Sequence, residues 1–558
     1  MELPAARTDS STIRPPPIPV PSAGNAIEAY KSAIGGDGLA IRDELPAIIA
    51  RGYDALTPAE KELLKWVGVF FRKPTPGRFM MRIRMPNGLA SAEQFHAIAE
   101  LSRRLGDSVV DITTRQQIEL RGFTLESVPE IWQKLRGVDL HSLQTGIDNV
   151  RNINGCPLAG LIPHELFDAS PIVRQIDGLL VGKAGNLQFT NLPRKFNITV
   201  TGCLENCTHA ETQDIALVPA MRQGRAGSNV LVGGKMGSGG MTIAQPLDVF
   251  VEPDAAAALV VELVKIYRDH GPRDARSRCR FAFLIEEWGI GRLREELARR
   301  LRCALAPQGR DMRRPAHDDH LGITEQKQAG LAAVGLCVPT GRVNPDQLDE
   351  LARLATSYGN GEIRLTTAQN AILPGVPAGR LRQLLAEPLL QQFSAQPSPH
   401  FRRMVACVGT EYCNLALIET KQRAVELSRA LDVRLGDVGK PLSLHWSGCP
   451  AGCGNHQAAD IGFRGFKAKI NGQLVDAVAI YAGGRTGPNA AAGREILDTV
   501  PCDEAFADRV AEVIREYRRA QEQPAPPRRK HVPLAPLPDL HAARIDPPAA
   551  AASQAGAD

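Results

Sequence analysis

Residues 113 to 120 read TTRQQIEL, and residues 366 to 373 read TTAQNAIL. Thr113, Thr114 and Gln116 fall on Thr366, Thr367 and Gln369, and the correspondence continues outward. Upstream of the first copy, FMMRIR (79–84) has the composition of a strand. Ser91 and Gln94 form a capping box for a helix running to Gly106, and VVDIT (109–113) reads as a strand leading into the quoted stretch. Upstream of the second, GLCVPTGR (335–342) precedes Asn344 and Pro345, a cap and a first-turn proline, then the helix DQLDELARLATSYG (346–359). Helices starting near Leu125 and Ala378 follow. Both copies therefore predict strand, helix, strand, strand, helix, an α+β pattern. Each is followed by a Gly-Cys-x-x-x-Cys stretch, TGCLENCTHAETQDI (201–215) or HWSGCPAGCGNHQAADIGF (445–463), with Asp-Ile at the same distance. A period of about 250 residues is far longer than a solenoid repeat, so it predicts a duplicated domain pair with pseudo-twofold symmetry and a seam wide enough for a cofactor.

Composition narrows the function. A chain of 558 residues forms several domains or lobes and buries a large cofactor easily. No apolar run reaches the roughly 18 residues of a membrane span, and a net charge of +5 is too small to argue for nucleic acid. The N-terminus has no continuous apolar core, so we read a cytoplasmic protein, neither membrane-bound nor secreted. Eleven cysteines, odd in number and unevenly spaced, look like buried thiols plus metal ligands, not a disulfide framework.

Four cysteines stand out: Cys407 and Cys413 in ACVGTEYC, Cys449 and Cys453 in SGCPAGC. The glycines around the second pair let backbone amides approach sulfur, as an iron–sulfur cluster needs. Structural zinc usually takes tighter hooks, which leaves it, with inert buried thiols, as the alternative. Cys203 and Cys207 copy the second hook and read as two thiols without metal. Cys156, Cys279, Cys303, Cys337 and Cys502 read as isolated buried residues. Positive residues crowd the first copy alone: Arg82 and Arg84, Arg115 and Arg121, Arg151, Arg194 and Lys195; the partner of Arg115 is Ala368. On extended chain Arg194 and Lys195 point to opposite faces. Such a set can grip a polyanion on one side and line a small-anion pocket on the other. No Gly-x-Gly-x-x-Gly opens a βαβ unit, so electrons must come from another protein. His209 and His456 lie inside the cysteine loops and suit hydrogen bonding better than ligation.

The motifs VACVGTEYCNLALIETKQRA, HWSGCPAGCGNHQAADIGF, FMMRIRMPNG, TTRQQIELRG, DNVRNINGCPLAG and NLPRKFNITVTGC together resemble the siroheme-dependent nitrite and sulfite reductases, most closely the ferredoxin-dependent assimilatory nitrite reductases. The resemblance runs from about residue 60 to 520. It implies a duplicated pseudo-twofold α+β architecture of two ferredoxin-like half-domains and two α+β cofactor-binding lobes. The expected divisions are a disordered Pro-rich extension (1–30), a first half-domain with N-terminal helices (31–140), a first lobe (141–324), a second half-domain (325–395), a second lobe (396–521) and a Pro/Ala-rich tail (522–558). By the same resemblance Cys407, Cys413, Cys449 and Cys453 bind a [4Fe–4S] cluster, with Cys453 also the axial ligand of siroheme. Arg115, Gln116, Arg121 and Arg194 meet the siroheme carboxylates, and Arg82, Arg151, Lys195 and Asn197 face nitrite. Reduced ferredoxin is the implied donor and a monomer the implied state. Sulfite reductases of the family tend to carry Lys-x-Lys where this chain has Lys195-Phe196-Asn197, which favours the singly charged anion over a dianion. A sulfite reductase, a ring-oxidising oxygenase of corrin biosynthesis and a non-enzymatic metal-bearing scaffold are the alternatives.

Overall fold

Each threonine-rich stretch forms the tip of a tight hairpin, and the two hairpins clasp the halves of the chain together. In the computed structural model, which describes residues 25–237, 240–315, 319–436 and 440–522, Val110–Ile112 pairs antiparallel with Ile118–Phe123, and Glu362–Leu365 with Ala371–Pro377. The turns match bond for bond: Thr113 N–H donates to Gln117 O and Thr366 N–H to Asn370 O, both at 2.9 Å. Gln116 and Gln369 sit in the left-handed region, at φ 54° and 65°, a conformation that persists where surrounding contacts over-determine it. Here they do. Gln116 accepts from Gly155 N–H at 3.0 Å and donates to Leu365 O at 3.0 Å. Gln369 accepts from Ala406 N–H at 2.9 Å and donates to Ile112 O at 3.1 Å. Each glutamine ties its own hairpin to the strand of the other.

The exchange extends to whole strands. One five-stranded antiparallel sheet runs Val69–Phe71, Phe79–Ile83, Ile118–Phe123, Val110–Ile112 and ends on Arg342–Val343 from the second copy. The other runs Gly322–Glu325, Leu331–Leu336, Ala371–Pro377, Glu362–Leu365 and ends on Leu89–Ser91 from the first. The helices follow their local signals. Ala92–Leu105 starts on the Ser91–Gln94 capping box, and Pro345–Tyr358 on Asn344 with a second box through Gln347. Phe95, Ile98 and Leu101 on one, and Leu348, Leu351, Ala352 and Ala355 on the other, recur at helical spacing and enter a single apolar core that both sheets share.

The two lobes repeat one mixed topology. In the first, Asn154–Gly155, Ile198–Val200 and Ile215–Arg222 are parallel neighbours, continued antiparallel by Arg225–Val232 and Gln245–Val251. In the second, Met404–Ala406, Leu444–Ser447 and Ile461–Ile470 are parallel, continued antiparallel by Gln473–Ala482 and Arg494–Pro501. Each cysteine hook leaves the end of the middle parallel strand.

One expectation is corrected. Residues 25–30 are not part of a disordered extension: Ala26–Ala33 is a helix capped by the Asn25 side chain. It is held by Lys31, fully buried, which pairs with Glu28, lies 3.3 Å from Asp148 and donates to Leu192 O at 2.9 Å. Asp148 is also gripped by Arg276 at 2.6 and 2.8 Å, and Glu28 by Arg273. Residues 1–24, and 523–558 of the expected tail, lie outside the described residues. The described residues up to Glu512 belong to one unit, which holds the sheets and cavities described here; a second begins at Val513, within the helix Phe506–Glu522. No helix among the described residues is long and apolar enough to cross a membrane.

Candidate functional site

Cys407 directly follows the strand Met404–Ala406, and Cys449 and Cys453 follow its parallel neighbour Leu444–Ser447, so adjacent strand ends deliver three thiols to one sheet edge. Cys413 comes from the intervening loop. All four line one cavity of about 160 Å³. Backbone amides reach two of the sulfurs: Gly448 N–H donates to Cys407 Sγ at 3.1 Å and Leu415 N–H to Cys413 Sγ at 3.4 Å. Gly409, at φ 69°, lets the loop fold back; a Cβ there would stand 2.8 Å from Thr420 N. Four thiols around one cavity are the ligand count of a multi-atom iron–sulfur cluster. Burial pushes the Cys407 thiol to about 12 and that of Cys449 to about 11, so thiolates there require a positive partner.

The same cavity is also lined by cations. Arg72, Arg82, Arg121 and Lys421 surround only two carboxylates, Asp111 and Glu119. Arg121 is fully buried, paired with Asp111 and, at 2.5 Å, with Glu119, and its Nη1 still has no partner; Arg72 Nε is likewise buried and unpaired. Burial pulls Arg72 down to about 10. Burial pushes Glu119 up, but Arg82, Arg121 and Arg72 outweigh it and hold the carboxyl at about 2. A surplus of guanidinium around the cavity, with two buried donors lacking a hydrogen-bond partner, fits an anionic prosthetic group; a neutral one would leave those charges uncompensated.

A second, tighter cavity of about 20 Å³ is walled by Lys195, Asn197, Thr212, Gln213 and Asn455. Thr114, Arg115 and Cys453 line both cavities. Arg115 Nε donates to Asn197 Oδ1 at 3.2 Å. Asn197 N–H donates to Asp214 Oδ2 at 2.8 Å, and Arg280 clamps that carboxylate at 3.1 and 2.7 Å. The Asp-Ile of the first cysteine loop therefore fixes the Lys195–Asn197 segment. Burial lowers Lys195 well below an ordinary lysine, Arg115 and Arg280 push the same way, and Cys453 opposes them. Arg151 is lowered well below its usual value by burial and by Arg82, Arg115 and Arg194. The result is a nest of buried positive charge that a small anion would relieve.

The remaining sequence candidates are placed as follows. Arg194 faces away from Lys195, 3.8 Å from Asp148. The Gln116 amide lies wholly inside the hairpin clasp and reaches neither cavity. Arg84 is fully buried and structural, pairing with Asp177 at 3.0 Å and donating to the carbonyls of Gln144, Val150 and Arg151. His456 shares Ser447 Oγ (3.0 Å) with Gly454 N–H (3.1 Å), shaping the second hook, and burial takes it to about 4. Arg72, Asp214 and Arg280 escaped sequence reasoning; only the repeated Asp-Ile signalled one of them. The reading of Cys156 as isolated is also corrected. It follows the strand Asn154–Gly155 as Cys407 follows Met404–Ala406, and its thiol meets those of Cys203 and Cys207.

A duplicated α+β frame in which a thiol-lined cavity and a cationic small-anion cavity share one cysteine has the layout of a reductase that delivers stored electrons to an anion. Comparison with known proteins agrees. Residues 146–305 and 398–532 match the nitrite and sulphite reductase 4Fe-4S domain, and residues 71–138 and 324–390 match the nitrite/sulfite reductase ferredoxin-like half domain. The chain belongs to the nitrite and sulphite reductase family. It is 45% identical over 472 residues to the ferredoxin–nitrite reductase of Synechococcus elongatus, covering 84% of this chain and 92% of the relative. Against the assimilatory ferredoxin-dependent nitrite reductase of Haloferax mediterranei it is 40% identical, with 86% of each chain covered. The solved structure of the Mycobacterium tuberculosis NirA protein superposes with a TM-score of 0.81 at 29% identity, covering 88% of this chain and 93% of that one.

Proposed function

We propose that this protein is an assimilatory, ferredoxin-dependent nitrite reductase, converting nitrite, six electrons and eight protons to ammonium and two waters. The relatives' names and the family's 4Fe-4S domain support the reaction and the cofactors, siroheme and a [4Fe–4S] cluster. The observation that carries the site assignment is that Cys453 walls both the four-cysteine cavity and the Lys195–Asn197 cavity. When bound, siroheme and the cluster supply the iron at which nitrite is reduced and the electrons that reach it.

The residues divide the remaining work. Cys407, Cys413, Cys449 and Cys453 hold the cluster, and Cys453 also holds the siroheme iron. Arg115 and the unpartnered Nη1 of Arg121 meet siroheme carboxylates, joined by Arg72; Arg194 serves the outer edge. Lys195 and Asn197 receive nitrite in the smaller cavity, and Arg82, of the larger cavity, and Arg151, in the lining of neither, add positive charge from behind. Lys195 Nζ, lowered by burial, is suited to release a proton toward a departing oxygen, and Arg115 fixes Asn197 for the second contact. Reduced ferredoxin or a similar small carrier delivers the electrons to a monomer in the cytoplasm, a reducing compartment that suits eleven unpaired thiols.

The test is Cys453→Ser in protein produced with siroheme supply. Nitrite turnover with a chemical reductant falls by about a thousandfold or more, and the visible siroheme bands no longer respond to nitrite under dithionite. Retention of a tenth of the activity would sink the assignment of Cys453.

A further inference from the structure

The first lobe carries its own convergence of thiols. Cys156 follows Asn154–Gly155, the counterpart of Met404–Ala406, and Cys203 and Cys207 follow Ile198–Val200, the counterpart of Leu444–Ser447. Three of the four cysteine positions of the second lobe are thus repeated: Cys156 for Cys407, Cys203 for Cys449, Cys207 for Cys453. Cys413 has no counterpart, and the imidazole of His320 approaches the set instead. The ligand atoms of Cys156, Cys207 and His320 lie within 4.8 Å of one another, with Cys156 Sγ 3.9 Å from His320 Nε2. Cys203 Sγ neighbours both other thiols but stands outside that 4.8 Å group, donating to Glu205 O at 3.2 Å, and needs a side-chain rotation to join it.

The set is closed and held. Cys156 and Cys203 are fully buried, Cys207 is 8% exposed and His320 4%. Thr201 Oγ1 stands 3.4 Å from Cys203 Sγ, and Thr367 Oγ1 donates to Cys207 O at 2.7 Å. His320 sits at φ 59°, an uncommon conformation for a non-glycine residue, and its carbonyl lies where a Cβ on Gly335 would collide at 1.7 Å. Three chain segments far apart in sequence converge here. The one ligand pair of this set with a stated separation, Cys156 Sγ and His320 Nε2 at 3.9 Å, is close to the edge length of about 3.7 Å that a single ion with ligands near 2.3 Å requires.

We propose that Cys156, Cys203, Cys207 and His320 bind one zinc-class divalent ion as a closed Cys₃His site. Three sulfurs and one imidazole nitrogen are a ligand set zinc takes in structural sites. The ion pins the first lobe beside a remnant cavity of about 40 Å³, walled by Cys207, His320 and Thr366–Ala368, the repeat counterpart of Thr113–Arg115. One ancestral frame then holds a cluster in one lobe and a single ion in the other. This site does not depend on the reading of the nitrite pocket.

The test uses the full-length holoprotein produced with siroheme supply in zinc-replete medium, with zinc and iron counted on the same sample and the zinc X-ray absorption edge recorded. The expected result is about one zinc beside about five irons, with a shell of three sulfurs near 2.3 Å and one nitrogen near 2.0 Å. In Cys207→Ser zinc falls at least tenfold while the siroheme bands and iron count persist. Less than a tenth of a zinc per chain, a sixth iron in its place, or a Cys203–Cys207 disulfide in the native protein by mass spectrometry overturns the proposal. Should Cys207→Ser fail to accumulate, the wild-type zinc shell decides alone: fewer than three sulfurs refutes it.

Discussion

Asn197 is a neutral group beside Lys195 and Arg115 in the anion cavity, and its neutrality limits the cavity's charge. Its side chain accepts from Arg115 and its amide donates to Asp214, so it contributes a fixed dipole where a lysine would add a full charge. Asn197→Lys is expected to raise the sulfite-to-nitrite ratio of kcat/KM about tenfold, roughly 1.4 kcal/mol of differential binding; an unchanged ratio rejects charge matching as the basis of selectivity. Much at this scale was legible in the sequence. Lys195 and Asn197 stand out because the second copy lacks the cationic set, and Cys449 and Cys453 because their glycines advertise the hook. Arg72 and Arg280 were hidden because each owes its place to contacts more than 40 residues away. Cys156 was hidden because its match to Cys407 exists in strand register, not in local spelling.

At the scale of elements, the helix Ala26–Ala33 depends on one carboxylate. Asp148 meets Lys31 of the helix and Arg276 of a distant segment, all inside the protein. Burial pushes its carboxyl up, but Lys31 and Arg276 hold it at about 2. That is below the roughly 3.9 of an unfolded chain, so its stabilisation, about 2 to 3 kcal/mol, is fully present above about pH 4 and is lost as pH falls through about 2. Asp148→Asn is expected to melt well below wild type at pH 6, with the gap closing between pH 4 and 2. A gap as large at pH 2.5 as at pH 6 would assign the effect to packing instead. The helices Ala92–Leu105 and Pro345–Tyr358 were readable because capping boxes are local signals. The helix Ala26–Ala33 was not: its composition is unremarkable, and its anchor lies 117 residues downstream of Lys31.

At the scale of the whole molecule, the positive charge of the half-buried Arg115 and Lys195 and the buried Arg151, with Arg82 beside them, makes stability depend on bound anions. Protein produced without siroheme keeps those charges mutually repelling, and added salt screens them. Raising salt from about 0.05 to 0.5 M is expected to lift the melting temperature of the siroheme-free protein by about 2 °C or more beyond its effect on the holoprotein. Equal responses would mean the nest is already neutralised by the chain. The duplication and the α+β pattern were visible in the paired TTRQQ and TTAQN turns, but the exchange of edge strands was not, since Leu89–Ser91 and Arg342–Val343 are too short to announce their partners. That exchange also governs how the chain emerges during synthesis. The first sheet leaves Val110–Ile112 as a bare edge until residue 343 has been made, and Leu89–Ser91 waits for residue 362. At about 5–20 residues per second the wait is roughly tens of seconds, a window in which the nascent chain carries open strand edges and a ribosome-associated chaperone has most to protect.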